Sequence, residues 1–325
     1  MADPVPPPTS QQSYRWPWAI GLLVATLITT TAFGSGFLFW TRTDVVIDLG
    51  SVLGEDGELL ASIIRVPWLV WSSPDLRRTG LAFSIPLLTI LLAHELGHFF
   101  ACRRHRIPCT LPYFLPAPLL IGTLGAFIRI RGRIPSRRQL FDVGATGPIA
   151  GLLALLPFLV YGLAHSTVER VIEVNESLGS AWLLVPGQSL LAKGLIRLFH
   201  GPWEPGMILN YHPFALAAWV GLLVTSLNLI PVGQLDGGHI LYATSPRWYR
   251  RLRPVVLAAL GLSGFLWRGW WLWFGVLLVV AWRHPPVLHP IQTLDKRRRT
   301  LAVVTFLIYL AAFMPIPLSD LFVLH

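Results

Sequence analysis

The sequence predicts an all-α polytopic membrane protein of about six transmembrane segments, with a short β-hairpin or re-entrant element between the second and the third. Three observations carry that prediction. The 325 residues are 54% hydrophobic and only 13% charged, against about 25% charge in a soluble globular chain. Several apolar stretches approach or exceed the roughly 20 residues that cross a bilayer. The basic residues, which give a formal net charge of +10, flank those stretches, as cytoplasmic anchors do. Their placement speaks against nucleic-acid binding, and no soluble domain of ordinary size fits between the spans.

Each element follows in order. Residues 1–15 are polar and proline-rich and predict a disordered tail. Span one covers residues 16–40 with tryptophan at both ends, an interfacial anchor. An acidic, mixed external segment leads to span two at residues 81–102, within LAFSIPLLTILLAHELGHFFAC. Residues 103–139 are basic at both ends with a proline-rich apolar middle; there GTLGAFIRIRGRIP alternates apolar and basic residues around a glycine, the pattern of a short β-hairpin. Span three is residues 140–164. Residues 165–209 read as a polar loop carrying one amphipathic piece, SLLAKGLIRLFH, and span four is residues 213–230. Residues 254–282 are one long span or two short ones turning at Trp267-Arg268-Gly269, and a last span covers residues 301–318. The aromatic run WRGWWLWF reads as an interfacial belt. Cys102 and Cys109 form no CxxC pair and predict reduced structural thiols.

Counting cations orients the chain. Loop 103–139 holds eight Arg, loop 165–209 only three Lys and Arg among four Glu, and residues 41–80 four Lys and Arg against six acids. The first of these loops is therefore cytoplasmic and the other two external. The basic groups at residues 247–253 and 296–299 both reach the cytoplasmic side only if 254–282 turns back on itself, which favours the hairpin and puts the C-terminus outside.

The chemistry sits in LLAHELGHFF, residues 91–100. Helical residues four apart share a face, so His94 and His98 point the same way. HExxH on a helix lets two imidazoles bind one zinc while the glutamate, here Glu95, works on the water that the metal activates. Alone the motif is common and fits an incidental surface helix. Inside a span that reading weakens, because ionisable groups there are costly and mark function. Catalytic zinc takes three protein ligands, so a third is missing. Asp236, in LDGG, is the only acidic residue between Glu204 and Asp295 and directly follows span four. Spans two and four both run inward, which brings His94, His98 and Asp236 to similar depth near the cytoplasmic face. Gly237 and Gly238 would let the backbone turn beside the metal, and Pro231 would interrupt the helix before it. Asn228 could hold a substrate carbonyl or cap the backbone freed near Pro231.

HELGH in one span and NLIPVGQLDGGH after another, together with GTLGAF at 122–127 and GATGPIAG at 144–151, resemble the site-2 protease family of intramembrane zinc metalloproteases. With LPYFLPAP before GTLGAF, the pattern is most similar to the plastid EGY-type branch and its bacterial relatives. The resemblance covers about residues 80–243 and makes residues 81–243 a zinc protease membrane core, with a first span and external segment at 16–80 and C-terminal membrane segments at 244–325. It implies one zinc per chain on His94, His98 and Asp236, Glu95 as general base and acid, Asn228 as a substrate-positioning residue, and pairing of an unwound substrate along Gly122, Thr123, Leu124 and Gly125. Where some members have asparagine this chain has Gly151, and no role is carried onto it. Loop 165–209 is too short for the PDZ domain of other members, and the tail leaves no room for a CBS pair.

The function so implied is hydrolysis of peptide bonds in or near transmembrane segments of membrane-protein substrates, in a multi-pass protein of the bacterial inner membrane with its site near the cytoplasmic face. A transporter using intramembrane His, Glu and Asp would spread polar residues over several depths, and a non-proteolytic membrane-protein-binding relative would have lost a ligand or the base. The plainer reading of GTLGAFIRIRGRIP is a basic hairpin on lipid headgroups. His105, His200, His212, His284, His289 and His325 read as surface or interfacial residues, and His239 as a neighbour of the metal rather than a ligand.

Overall fold

The computed structural model describes residues 15–41, 59–118, 121–170, 183–280, 287–288 and 293–321. The tail 1–14, residues 42–58 of the acidic segment, His284, His289 and His325 lie outside them. The chain is mostly helical, and three of the described helices are long and apolar enough to cross a membrane: α1 (Trp16–Thr41, apolar over Trp16–Ser35), α3 (Pro74–Arg104) and α4 (Arg137–Ala164), with the shorter α2 (Leu59–Ser72) before α3. At 1.5 Å per residue α3 and α4 reach roughly 47 and 42 Å, well beyond a hydrocarbon core of about 30 Å. Pro86 in α3 and Pro148 and Pro157 in α4 lie inside continuous helix; neighbouring helices and local readjustment compensate such missing N–H groups in spans.

Helix α4 is the centre. It packs against α3, against α6 (Pro213–Asn228) and against α7 (Asp236–Thr244). Phe83, Leu87 and Ile90 of α3 meet Leu155, Leu159 and Leu163 of α4 and Leu216 of α6, all nearly inaccessible. Lipid is as apolar as leucine, so association in the bilayer depends on close van der Waals packing at small residues. Gly221 shows it: a methyl there would sit 2.9 Å from Ile90 Cγ2, so α6 reaches α3 only because the side chain is missing.

On the side where α3 ends in Arg103 and Arg104, strands β1 (Tyr113–Pro116) and β2 (Thr123–Phe127) pair antiparallel, with Tyr113 opposite Phe127 and Phe114 opposite Ala126. The ladder continues as a bridge between Cys109 and Ile130. GTLGAF thus pairs with the upstream YFLP and does not fold back within GTLGAFIRIRGRIP. Prolines argue against a strand in a sequence, yet Pro116 is accommodated at a register break in this two-stranded sheet. Helix α1 holds the sheet: Thr29 Oγ1 donates to the Gly122 carbonyl at 2.7 Å.

Loop 165–209 is more ordered than its polarity suggests. Strand β3 (Thr167–Arg170) pairs with β5 (Met207–Asn210), β4 (Leu183–Pro186) pairs with β6 (Leu318–Leu321), and the amphipathic α5 (Leu190–His200) lies between. Four-residue strands are too short to show alternation in a sequence. Ser189 caps α5 by accepting from the Ala192 N–H at 3.2 Å, and Ala192 and Ile196 fix its buried face.

The described part of 254–282, residues 254–280, belongs to two helices, α8 (Pro246–Ser263) and α9 (Gly269–Val280), meeting at 264–268. Trp270 is not part of an interfacial belt: it is buried, stacks on Phe313 and donates from Nε1 to the Pro315 carbonyl at 2.7 Å. The last helix, α10 (Lys296–Ala312), begins five residues before the apolar stretch at 301. Its start is tied to the core through Arg298, whose Nε and Nη2 donate to Asp142 of α4 at 2.7 and 2.6 Å. His105, after α3, meets the same carboxylate at 2.8 Å. His105 is therefore a half-buried hydrogen-bond partner joining α3, α4 and α10, a role its loop position conceals.

Candidate metal centre

Helix α3 carries His94, Glu95 and His98, all buried, about two to three turns before its end. Asp236 arrives from the start of α7, after a turn that leaves α6 at Asn228. A carboxylate in the first helical turn is favoured by the backbone dipole. The turn's left-handed residue is Gly233 (φ 60°). Gly237 and Gly238 serve close approach instead: methyls there would strike the Leu229 carbonyl and, at 2.6 Å, the Gly233 carbonyl oxygen.

The donors converge. His94 Nε2 and His98 Nε2 are 3.1 Å apart, and Asp236 Oδ2 lies 3.2 Å from the first and 3.4 Å from the second. Tetrahedral zinc with bonds of about 2.0–2.1 Å to nitrogen and oxygen separates its ligand atoms by about 3.3 Å, so these three atoms have the size of one face of such a site. The tautomer fits too. His98 Nδ1 donates to the Val143 carbonyl at 2.7 Å, leaving the Nε2 lone pair for a metal. Two imidazoles and one carboxylate form the metal-capable group of the described residues, and the set suits zinc.

The three residues line a cavity of about 240 Å³ together with Glu95, Asn228, Gln234 and His239. The Ile128 backbone N–H donates to the Glu95 carboxylate. Asn228 Nδ2 is 3.3 Å from His94 Nε2, so the amide turns toward the metal site rather than toward the backbone at Pro231. His239 is on the cavity wall and outside the donor group.

Of the strand residues, Gly122 is packed on α1, where a methyl would overlap the Thr29 and Thr30 backbone. Thr123 is buried and donates to the Leu115 carbonyl at 2.9 Å. Leu124 is exposed, and a methyl on Gly125 would meet open space. The strand reaches the cavity through Ala126, Phe127 and Ile128 instead, three residues beyond the first two of the stretch singled out in the sequence.

Sequence reasoning predicted α4 as span three and singled out GATGPIAG, but gave its glycines no part in the site. A methyl on Gly97 of HELGH would lie 2.5 Å from the Thr146 carbonyl oxygen; one on Gly147 would overlap the His98 imidazole; one on Gly151 would sit 3.1 Å from His94 Nδ1; one on Gly144 would sit 2.9 Å from His239 Cβ. The signal was present, since residues 144, 147 and 151 follow the three-and-four spacing of one helix face.

Two plant proteins align with this chain over most of its length. It is 31% identical over 254 residues to "Probable zinc metalloprotease EGY2, chloroplastic" of Arabidopsis thaliana, covering 75% of this chain and 43% of that protein. It is 29% identical over 252 residues to "Probable zinc metalloprotease EGY1, chloroplastic" of Oryza sativa subsp. japonica, covering 74% and 41%. The chain thus spans less than half the length of these curated relatives. Their chloroplast setting lends no support to the bacterial inner membrane that the sequence suggested. No solved structure matches the chain significantly. The profile described as "Peptidase family M50" matches residues 82–265, more than half of the chain and the whole of the donor set, and the chain belongs to that family.

Proposed function

We propose that this protein is an intramembrane zinc metalloprotease that hydrolyses peptide bonds in or beside the transmembrane segments of membrane-protein substrates. The observation that carries the proposal is the triangle of His94, His98 and Asp236 with Glu95 in the same cavity. His94, His98 and Asp236 would hold the zinc, which supplies Lewis acidity toward a carbonyl and toward water. Glu95 accepts the proton of the attacking water and returns it to the leaving nitrogen, as a positioned carboxylate can. Its place between the two histidines in sequence and its hydrogen bond from Ile128 keep it on the cavity wall. Asn228 orients the substrate carbonyl from the opposite helix. A transmembrane helix hides its carbonyls in its own hydrogen bonds, so the substrate unwinds first. The edge of β2 at Ala126 and Phe127, beside the cavity, rather than at Gly122 and Thr123, receives the extended chain by strand addition.

Six segments, α1, α3, α4, α6 and the α8–α9 hairpin with α10, account for the topology if the hairpin enters as one re-entrant unit. The core is residues 81–243 and the later segments buttress it. Basic ends on one side support this arrangement: Arg15 shares a groove with Arg129 and Arg131, and Arg298 pairs with Asp142. The site then faces the side carrying those cations, the cytoplasmic side or its equivalent.

The test is cleavage of candidate transmembrane substrates by the purified protein in detergent, with zinc measured in parallel. Glu95→Gln should keep zinc and lose cleavage, and Asp236→Asn should lose both. Cleavage by Glu95→Gln at the unmodified rate, or full zinc in Asp236→Asn, would sink the assignment.

A further inference from the structure

A second groove, of about 370 Å³, opens beside the metal cavity and shares Phe127 with it. Arg15, Arg129 and Arg131 line it, together with Trp18, Leu22, Tyr113 and Leu115. The three arginines are exposed, and none has a carboxylate within ion-pair distance among the described residues. The run Phe-Ile-Arg-Ile-Arg alternates along extended backbone, where successive side chains face opposite ways. Ile128 and Ile130 accordingly line the metal cavity, while Arg129 and Arg131 line the groove. One strand thus serves two sites from its two faces.

We infer that this groove binds an anionic lipid, its headgroup held by Arg15, Arg129 and Arg131 and its acyl chain lying along Trp18, Leu22 and Leu115. The inference rests on α1 crossing the membrane and does not depend on proteolysis. Arg15 stands immediately before α1, and Leu22 is seven residues further along it, about 10 Å deeper at 1.5 Å per residue. The cationic end is then at headgroup level and the apolar end within the hydrocarbon, with exposed Trp18 between them as an interfacial side chain. Guanidinium groups match phosphate oxygens with paired N–H donors. An unpaired cationic cluster continuous with an apolar slot is complementary to an anionic amphiphile. A soluble anion would leave the slot unused, and an acidic peptide would leave it in contact with lipid anyway.

The experiment uses the full chain, purified in detergent and titrated with dioleoylphosphatidylglycerol or dioleoylphosphatidylcholine, with retained lipid counted by native mass spectrometry. The unmodified protein should retain phosphatidylglycerol in preference to phosphatidylcholine. Each arginine near an anionic surface contributes roughly fivefold in affinity, so R15Q/R129Q/R131Q should weaken retention by on the order of a hundredfold. The single variants R15Q and R131Q should each weaken it by about fivefold, and they decide the matter if the triple variant loses its helical circular dichroism. R133Q removes an exposed arginine of the same segment that does not line the groove, and it should leave retention unchanged. Equal retention by R15Q, R131Q and unmodified protein would overturn the site, as would an equal loss in R133Q, which means diffuse attraction. Displacement by equimolar glycerol phosphate would reassign the groove to soluble anions, and displacement by a polyglutamate peptide to acidic protein segments. Either outcome overturns the lipid.

Discussion

His98 Nδ1 and the carbonyl oxygen of Val143 are 2.7 Å apart, so the central helix α4 decides which nitrogen of a histidine on α3 is free for a metal. Partners of this kind are worth 10- to 100-fold in metal affinity. The contact exists only because Gly147, one turn further on, has no side chain to push the imidazole away. Gly147→Ala should therefore lower zinc affinity by roughly 10- to 100-fold, read as zinc retained against a graded chelator. Gly194→Ala, where a methyl meets open space, should leave zinc binding unchanged.

Asn228 should separate binding from chemistry. Its amide lies 3.3 Å from His94 Nε2 but belongs to no ligand set. Asn228→Ala should lower kcat by about 100-fold or more, the usual loss on removing one positioned donor, with zinc content unchanged. A fall in Tm with kcat preserved would instead mean that the amide braces the backbone near Pro231.

The junction of α3, α4 and α10 should behave as a stability element remote from the chemistry. Arg298→Ala leaves the Asp142 carboxylate with His105 alone and should cost about 1–3 kcal/mol, seen as a lower Tm in detergent with zinc retained. Asp295, outside the membrane segments, caps α10 at the Arg298 N–H at 2.9 Å. That backbone hydrogen bond, aided by the Arg298 guanidinium, holds its carboxyl below the ordinary 3.8. A carboxyl lowered in the folded state contributes stability above its unfolded value and loses it as pH falls through the folded one. The cap should therefore persist at neutral pH and weaken only below pH 3.8, measured as an acid-side drop in Tm that Asp295→Ala abolishes.

The two glycines of GTLGAF should differ. Both have positive φ, 80° at Gly122 and 101° at Gly125, which costs any other residue on the order of 1–3 kcal/mol. Gly122→Ala adds a collision with the α1 backbone and should release β1–β2 from α1, increasing protease nicking at residues 113–127 while zinc stays bound. Gly125→Ala should show only the backbone cost, with far less nicking.

The sequence by itself determined the membrane class, the helix bearing His94, Glu95 and His98, and Asp236 as the missing donor. Each is a local signal: apolar length, four-residue helical spacing, and a lone acid after a span. It also marked GTLGAFIRIRGRIP as β structure, because alternation is local too, but as a hairpin within itself, whereas Thr123–Phe127 pairs with Tyr113–Pro116. Only the tertiary structure decided that β2 pairs with the proline-rich YFLP, that Ala126–Ile128 rather than Gly122 and Thr123 reach the cavity, and that four glycines on α3 and α4 let the two helices close around the imidazoles. Strand partners and helix contacts join residues far apart in sequence, and an absent side chain acts through what its absence admits. Such effects depend on a neighbour's position, which no residue's own chemistry specifies.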